Sequence, residues 1–252
     1  MDVGFDSIWL ALLGLAIVAG WIDSIAGGGG LITIPALMWA GLTPAQTLAT
    51  NKLQASFGSS TATLNYARHG LVDLKGQRFA VLMAFIGSAC GTLSVQHIPA
   101  HYLQKALPLL LIAFAIYFLF APSLNDQDRQ QRITPTQFAL SAGFAIGFYD
   151  GFFGPGTGAF FTMAYVELLG FGLPRAIGNT KLLNFTSNFA SLLFFALSGQ
   201  IIWLLGLLMG LGQVLGSYLG SRMAIKHGSK LIRPLLVGIS LLMSIKLLWN
   251  TN

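Results

Sequence analysis

The sequence predicts an all-α integral membrane protein: two inverted repeats, with eight long transmembrane helices plus two short half-helices after glycine-rich breaks. Three observations lead there. First, 54% of the 252 residues are hydrophobic and only 9% are charged, whereas a soluble domain carries about a quarter charged residues to coat its surface. Second, the apolar residues fall into runs of bilayer length. Third, a glycine-rich motif with an aspartate before it occurs twice.

A bilayer core about 30 Å thick requires roughly 20 apolar residues per helix. The first runs that fit are Ile8–Ile25, Ala45–Ala67, Phe79–Val95 and Leu103–Ala121. Phe138–Phe153, Arg175–Leu197, Ile202–Met223 and Leu231–Trp249 complete the eight. Leu31–Ala40 and Ala159–Leu169 follow the glycine breaks and are too short to span at 1.5 Å per residue. They read as half-helices or as the return arm of a hairpin. The start, with Asp2 and Asp6, lacks the basic stretch of a secretory leader, so the first apolar run reads as mature protein. The predicted division is a first repeat over residues 1–121, a polar linker over 122–136 and a second repeat over 137–252.

The halves match in register. Gly20–Gly30 aligns with Gly147–Thr157 at an offset of 127 (150 − 23). Asn51, Lys52 and Leu53 align with Thr180, Lys181 and Leu182 at an offset of 129 (181 − 52), and Gly87, Ser88 and Gly91 align with Gly216, Ser217 and Gly220. A sustained register marks an internal duplication. Loop charge supplies the orientation. Arg68, Lys75 and Arg78 lie after the second helix of one half, and Arg222, Lys226, Lys230 and Arg233 lie one helix later in the other. Positive loops stay in the cytoplasm, so equivalent helices run in opposite directions and both termini face outside.

The chemistry-bearing residues cluster at the duplicated motif. Gly27–Gly30 and Gly154–Gly158 interrupt apolar segments, and irregular backbone is tolerated at membrane depth only against protein or a cavity. The half-helix that follows each break offers free N–H groups and a positive dipole end to an anion. The bland alternative is a bare tight turn. Lys52 and Lys181 sit inside apolar helices among polar neighbours, where a cation faces a cavity, a partner or a substrate; the alternative is snorkelling to the headgroups. The predicted substrate-binding set is therefore Lys52, Lys181, Asn51, Thr180, Gly28, Gly29, Gly30, Gly156, Thr157 and Gly158. Asp23 and Asp150 read as counter-ions or proton carriers, or else as carboxylates that cap the broken backbone. The capping role is the preferred one.

Other polar residues read as structural. Cys90 is the single cysteine and reads as a small residue in a helix contact beside Gly87 and Gly91. His69, His97, His101 and His227 lack metal-ligand spacing, so no metal is expected. Trp9, Trp39, Trp203 and Trp249 read as an interfacial aromatic belt. The basic residues form no face with interleaved aromatics, which argues against nucleic acid.

The residues from Ile22 to Pro35, Ala49 to Gly58 and His69 to Asp73, together with Gly154–Gly158, resemble the sulfite exporter TauE/SafE family, closest to its widespread bacterial branch of unassigned permeases. The resemblance covers nearly the whole chain. It implies a multi-pass transporter of the bacterial inner membrane whose relatives move sulfite and small organosulfur anions such as sulfoacetate, with sulfolactate and taurine-derived products in the implied range. Pro155 and Thr157 depart from the glycines of the first half.

Together these readings give a secondary transporter of small anions (sulfite or sulfonates), with a site at the paired breaks and lysines. The alternatives are a passive anion channel or a carrier of small carboxylates. No Walker A sequence is present and no cofactor is expected. An intramembrane hydrolase built on Ser24 lacks a histidine on an apolar helix to activate it, so the protein reads as a non-enzyme. Its expected partners are a small anionic substrate and the lipid bilayer, and a homo-oligomer is compatible with the sequence.

Overall fold

The computed structural model describes residues 7–106, 109 and 130–227. Two predicted runs, Leu103–Ala121 and Leu231–Trp249, lie mostly or wholly outside them, as does the first part of the linker 122–136. The helices are α1 (Ser7–Ala26), α2 (Gly30–Trp39), α3 (Pro44–Arg68), α4 (Arg78–Gln96), α5 (Pro135–Phe138), α6 (Phe144–Phe152), α7 (Thr157–Leu169), α8 (Leu173–Leu197) and α9 (Trp203–His227). A π-helical turn, Ala139–Gly143, joins α5 to α6. Among the described residues, three helices are long and apolar enough to cross a membrane: α1, α4 and α9. The 25-residue helices α3 and α8 are too polar to meet that criterion, and many of their asparagine, threonine and lysine residues are buried in the protein.

Local chemistry sets the boundaries. At the start of α3, the Thr43 hydroxyl accepts from the Gln46 N–H at 3.3 Å. The Gln46 side chain accepts from the Thr43 N–H at 3.1 Å, and Pro44 occupies the first helical position. Thr134, Pro135 and Gln137 repeat this arrangement at α5. At the breaks, Gly27 (φ 77°), Gly28 (φ 115°), Gly154 (φ 94°) and Gly156 (φ 80°) take left-handed backbone that any side chain would strain.

Each short helix doubles back along the arm before it. Leu37 of α2 packs with Trp9, Leu12 and Ala16 of α1, while Phe161, Tyr165 and Val166 of α7 pack with Phe138 and Ala139. Each break is thus the tip of a hairpin with one long and one short arm.

The halves interlock through small residues. A methyl group at Gly216 or Gly220 of α9 would collide with the Ile17 or Trp21 carbonyl of α1. A methyl group at Gly87 or Gly91 of α4 would collide with the Phe144 or Phe148 carbonyl of α6. The four glycines form two pairs at the same offset, 129, and their four targets form two pairs at 127. Close backbone approach of this kind holds membrane helices together. The same relation recurs at Gly20 against Gln213 (2.8 Å) and Gly147 against Ala84 (2.6 Å).

Helix directions follow from contacts. Leu53 and Phe57 of α3 lie against Gly206 and Gly210 of α9, and the Asn65 amide donates to Ser221 at 2.8 Å, so α3 and α9 run parallel. Ser88 and Thr92 of α4 bond to Ser187 and Ser191 of α8, so these two also run parallel. Helices α3 and α8 are antiparallel: Lys52 meets Asn188, while Tyr66 packs with Leu173 and Ile177. One end of the molecule therefore collects Arg68, Lys75, Arg78, Arg132, Arg175, Arg222 and Lys226. A surface cleft there is lined by Asp73, Gln77, Gln131, Pro135 and Arg175.

Three sequence expectations are corrected. Arg222 and Lys226 are not in a loop but in the last turns of α9, with Arg222 donating to the Tyr218 hydroxyl. Cys90 is exposed, because the Gly87–Gly91 stripe that packs lies on the other face of α4. Trp9 is not a belt residue: it is 6% exposed and lies under α2 and α9, unlike Trp39 and Trp203.

Candidate functional site

The two breaks meet at the centre of the helix bundle. A methyl group at Gly27 would come within 2.6 Å of the Ala159 nitrogen, and one at Gly158 within 2.8 Å of the Gly27 Cα. A cavity of about 30 Å³ lies between them. From the predicted set, Gly28, Gly29, Gly30, Asn51, Gly156, Thr157 and Gly158 line it, as do Asp23 and Asp150.

Lys52 and Lys181 are each 1% exposed and sit over two turns inside α3 and α8, so they are not snorkelling anchors. Each pairs with the aspartate of the other half. Lys52 Nζ donates to Asp150 at 2.8 Å and to the Asn188 carbonyl oxygen at 3.2 Å. Lys181 Nζ donates to the Asp23 carboxylate at 3.1 Å and to the Asp23 main-chain carbonyl. Four charges thus cancel around the cavity, which answers the cost of burying any one of them.

Asp23 is counter-ion and backbone cap together, whereas Asp150 is a counter-ion held by side-chain hydroxyls and caps no backbone N–H. The Asp23 carboxylate accepts from the N–H groups of Gly28 at 3.0 Å and Gly29 at 3.1 Å. Asp150 accepts from the Thr157 hydroxyl at 2.9 Å and from the Ser187 hydroxyl. The sequence preference for capping alone misses the cross-half ion pairs, since distance in the chain hides them.

Asn51 and Thr180 occupy equivalent places, each bonded to a threonine of the returning arm. Thr33 donates to the Asn51 side-chain oxygen at 2.6 Å, and Thr162 donates to the Thr180 hydroxyl at 3.1 Å. Thr180 is fully buried and does not line the cavity. Sequence reasoning did not single out Thr33 or Gln213. Gln213 donates to Gln54 at 2.9 Å, and Gln54 donates to Asn51 at 2.7 Å, forming an amide chain along the cavity wall. A lone glutamine in the apolar run Ile202–Met223 was a usable signal, because polar groups at membrane depth need partners. The Ser24 hydroxyl donates to the Trp21 carbonyl at 2.9 Å, as a serine inside a helix does toward the preceding turn.

Both aspartates and the Asn51, Gln54, Asn184, Asn188 and Gln213 amides line the cavity, whereas Lys52 and Lys181 pair with the aspartates and do not themselves line it. Helices α2 and α7 both begin at the cavity.

The family model described as "Sulfite exporter TauE/SafE" matches residues 12–247. A relative in Escherichia coli strain K12, "Probable membrane transporter protein YfcA", is 49% identical over 255 residues, covering 98% of this chain and 95% of the relative. "Probable membrane transporter protein ORF9" of a Sinorhizobium species is 52% identical over 233 residues, covering 92% and 89%. A "Probable membrane transporter protein" of Haemophilus influenzae is 47% identical over 250 residues, covering 99% and 98%. No solved structure matches the chain.

Proposed function

The chain belongs to the sulfite exporter TauE/SafE family of membrane transporters, and from that premise we propose that it is a secondary transporter of small anions, sulfite or sulfonates, in the bacterial inner membrane. The observation that carries the reading is the pair of cross-half ion pairs at the tips of two opposed hairpins. Equivalent helices α3 and α8 run antiparallel, which supports inverted repeats of a multi-pass fold. The basic residues gathered at one end support a cytoplasmic face there.

In this reading the substrate anion takes the place of a carboxylate on a lysine. Asp23, whose side chain is 22% exposed, is the carboxylate that water reaches. A proton on Asp23 cancels its charge and loosens it from Lys181. The anion then occupies the ammonium, with the N-terminus of α2 or α7 adding positive potential. Anion and proton enter or leave together, so a pH gradient drives the flux. No charge is stranded in the apolar interior at any stage.

The test is reconstitution of the purified chain in liposomes, with sulfite and simple sulfonates offered against an imposed pH gradient. Gradient-driven accumulation that saturates is the expected result. Flux that ignores the gradient and does not saturate would replace the carrier with a channel. No flux of any anion would overturn the reading.

A further inference from the structure

Among the described residues, a single buried side-chain atom lacks a hydrogen-bond partner: the carbonyl oxygen of Asn184. Asn184 is 4% exposed and lines the central cavity. The nearby acceptors of Asn51, Gln54 and Asn188 are met. The Asn51 oxygen accepts from Thr33 and Gln54, and Gln54 accepts from Gln213. Asn188 accepts from Lys52 and donates to the Asn184 main-chain carbonyl. A buried acceptor left unmet costs about 1–3 kcal/mol, so an orphan beside a cavity points to a group that enters it.

Asn184 also breaks the internal symmetry. Its counterpart at the 129 offset is Ala55, which lines the same cavity. Asn184 and Lys181 are three residues apart, which puts them on one face of α8. Both reach the backbone at Gly158, where an added methyl would come within 2.8 Å of the Asn184 amide nitrogen and 3.4 Å of Lys181 Nζ. The Lys181 ammonium and the Asn184 side-chain amide thus flank the same stretch of backbone.

We infer that Asn184 selects the substrate: it accepts a hydrogen bond from a hydroxyl or ammonium group carried by the same small anion whose charged end meets Lys181. The inference rests on the anion-transport reading and names the substrate class within it. A sulfonate or carboxylate with a donor a few atoms from its charge satisfies both groups. A donorless anion leaves the Asn184 oxygen unmet.

The experiment measures ligand-dependent thermal stabilisation of the purified chain with matched pairs. These are 2-hydroxyethanesulfonate against propane-1-sulfonate and glycolate against propionate, with 2-aminoethanesulfonate separating ammonium from hydroxyl donors. Wild type should bind the donor-bearing member about tenfold more tightly. Asn184→Ala, which copies Ala55, should bring each pair to parity, and Asn184→Leu, of similar volume and without an acceptor, gives the same reading if the alanine variant is poorly folded. Parity in wild type, or a preference unchanged in the folded variants, overturns the inference while leaving anion transport standing. Binding of no anion at all removes both.

Discussion

Lys52–Asp150 and Lys181–Asp23 share chemistry and register, yet they differ in their access to water. In the first pair the side chains are 1% and 3% exposed; in the second they are 1% and 22% exposed. The difference traces to two hydroxyls. Asp150 is held by Thr157 and Ser187, where the first half has a glycine at either offset from Thr157 and Gly58 opposite Ser187. Asp23 relies instead on backbone N–H groups. Symmetric charges thus stand on asymmetric support. Water access, and not charge, distinguishes the two halves.

The largest test of this contrast removes a charge from the dry pair. Lys52→Gln or Asp150→Asn strands a buried partner and should destabilise the chain by about 3–5 kcal/mol, read from denaturant or thermal unfolding in detergent. The double variant should lose less than the sum, because no charge remains unpaired. Lys181→Gln should cost about 1–3 kcal/mol, since Asp23 keeps two backbone donors and meets water. Equal losses in the two pairs would end the distinction between dry and wet.

Ser187→Ala should cost about 1 kcal/mol and raise solvent access at Asp150, measured as faster modification by a water-soluble carbodiimide. No change in reactivity would mean that Ser187 does not seal the pair. The smallest stability effect belongs to surface cysteines. Lys75→Cys and Lys226→Cys in a Cys90→Ala background should stay within about 0.5 kcal/mol of the parent. Both should resist an impermeant thiol reagent added from outside intact cells. Labelling at one site alone would break the proposed relation between the halves.

Much of this was legible in the sequence, for physical reasons. Scarce charge announces a lipid-facing surface, and positive-φ glycines are hard to replace, so the breaks and the short arms Gly30–Trp39 and Thr157–Leu169 stood out. Duplication made Lys52, Lys181, Asp23 and Asp150 visible as a set. Duplication also misled, because residues without a counterpart drew less attention: Gln213 and Thr33 went unmarked, and Asn184 was only one polar neighbour among several. Their importance lies in burial and partners, which spacing does not carry. The partnering of each lysine with the other half depends on how the halves are docked. The π turn at Ala139–Gly143 has no counterpart in the continuous helix α1 and no signal in the residues that form it.

The packing of α1 against α9 bears on how the chain is made. The Trp21 indole donates to Met223, 202 residues later, and Ile17 waits as long for Gly216. At about 5–20 residues per second, α1 stands in the bilayer for roughly 10–40 s before its neighbour emerges. During that interval Asp23 has no Lys181 to pair with. A ribosome stalled in the second half would leave a first half with no partner for either its lysine or its aspartate. Such a nascent chain is a natural target for membrane quality control.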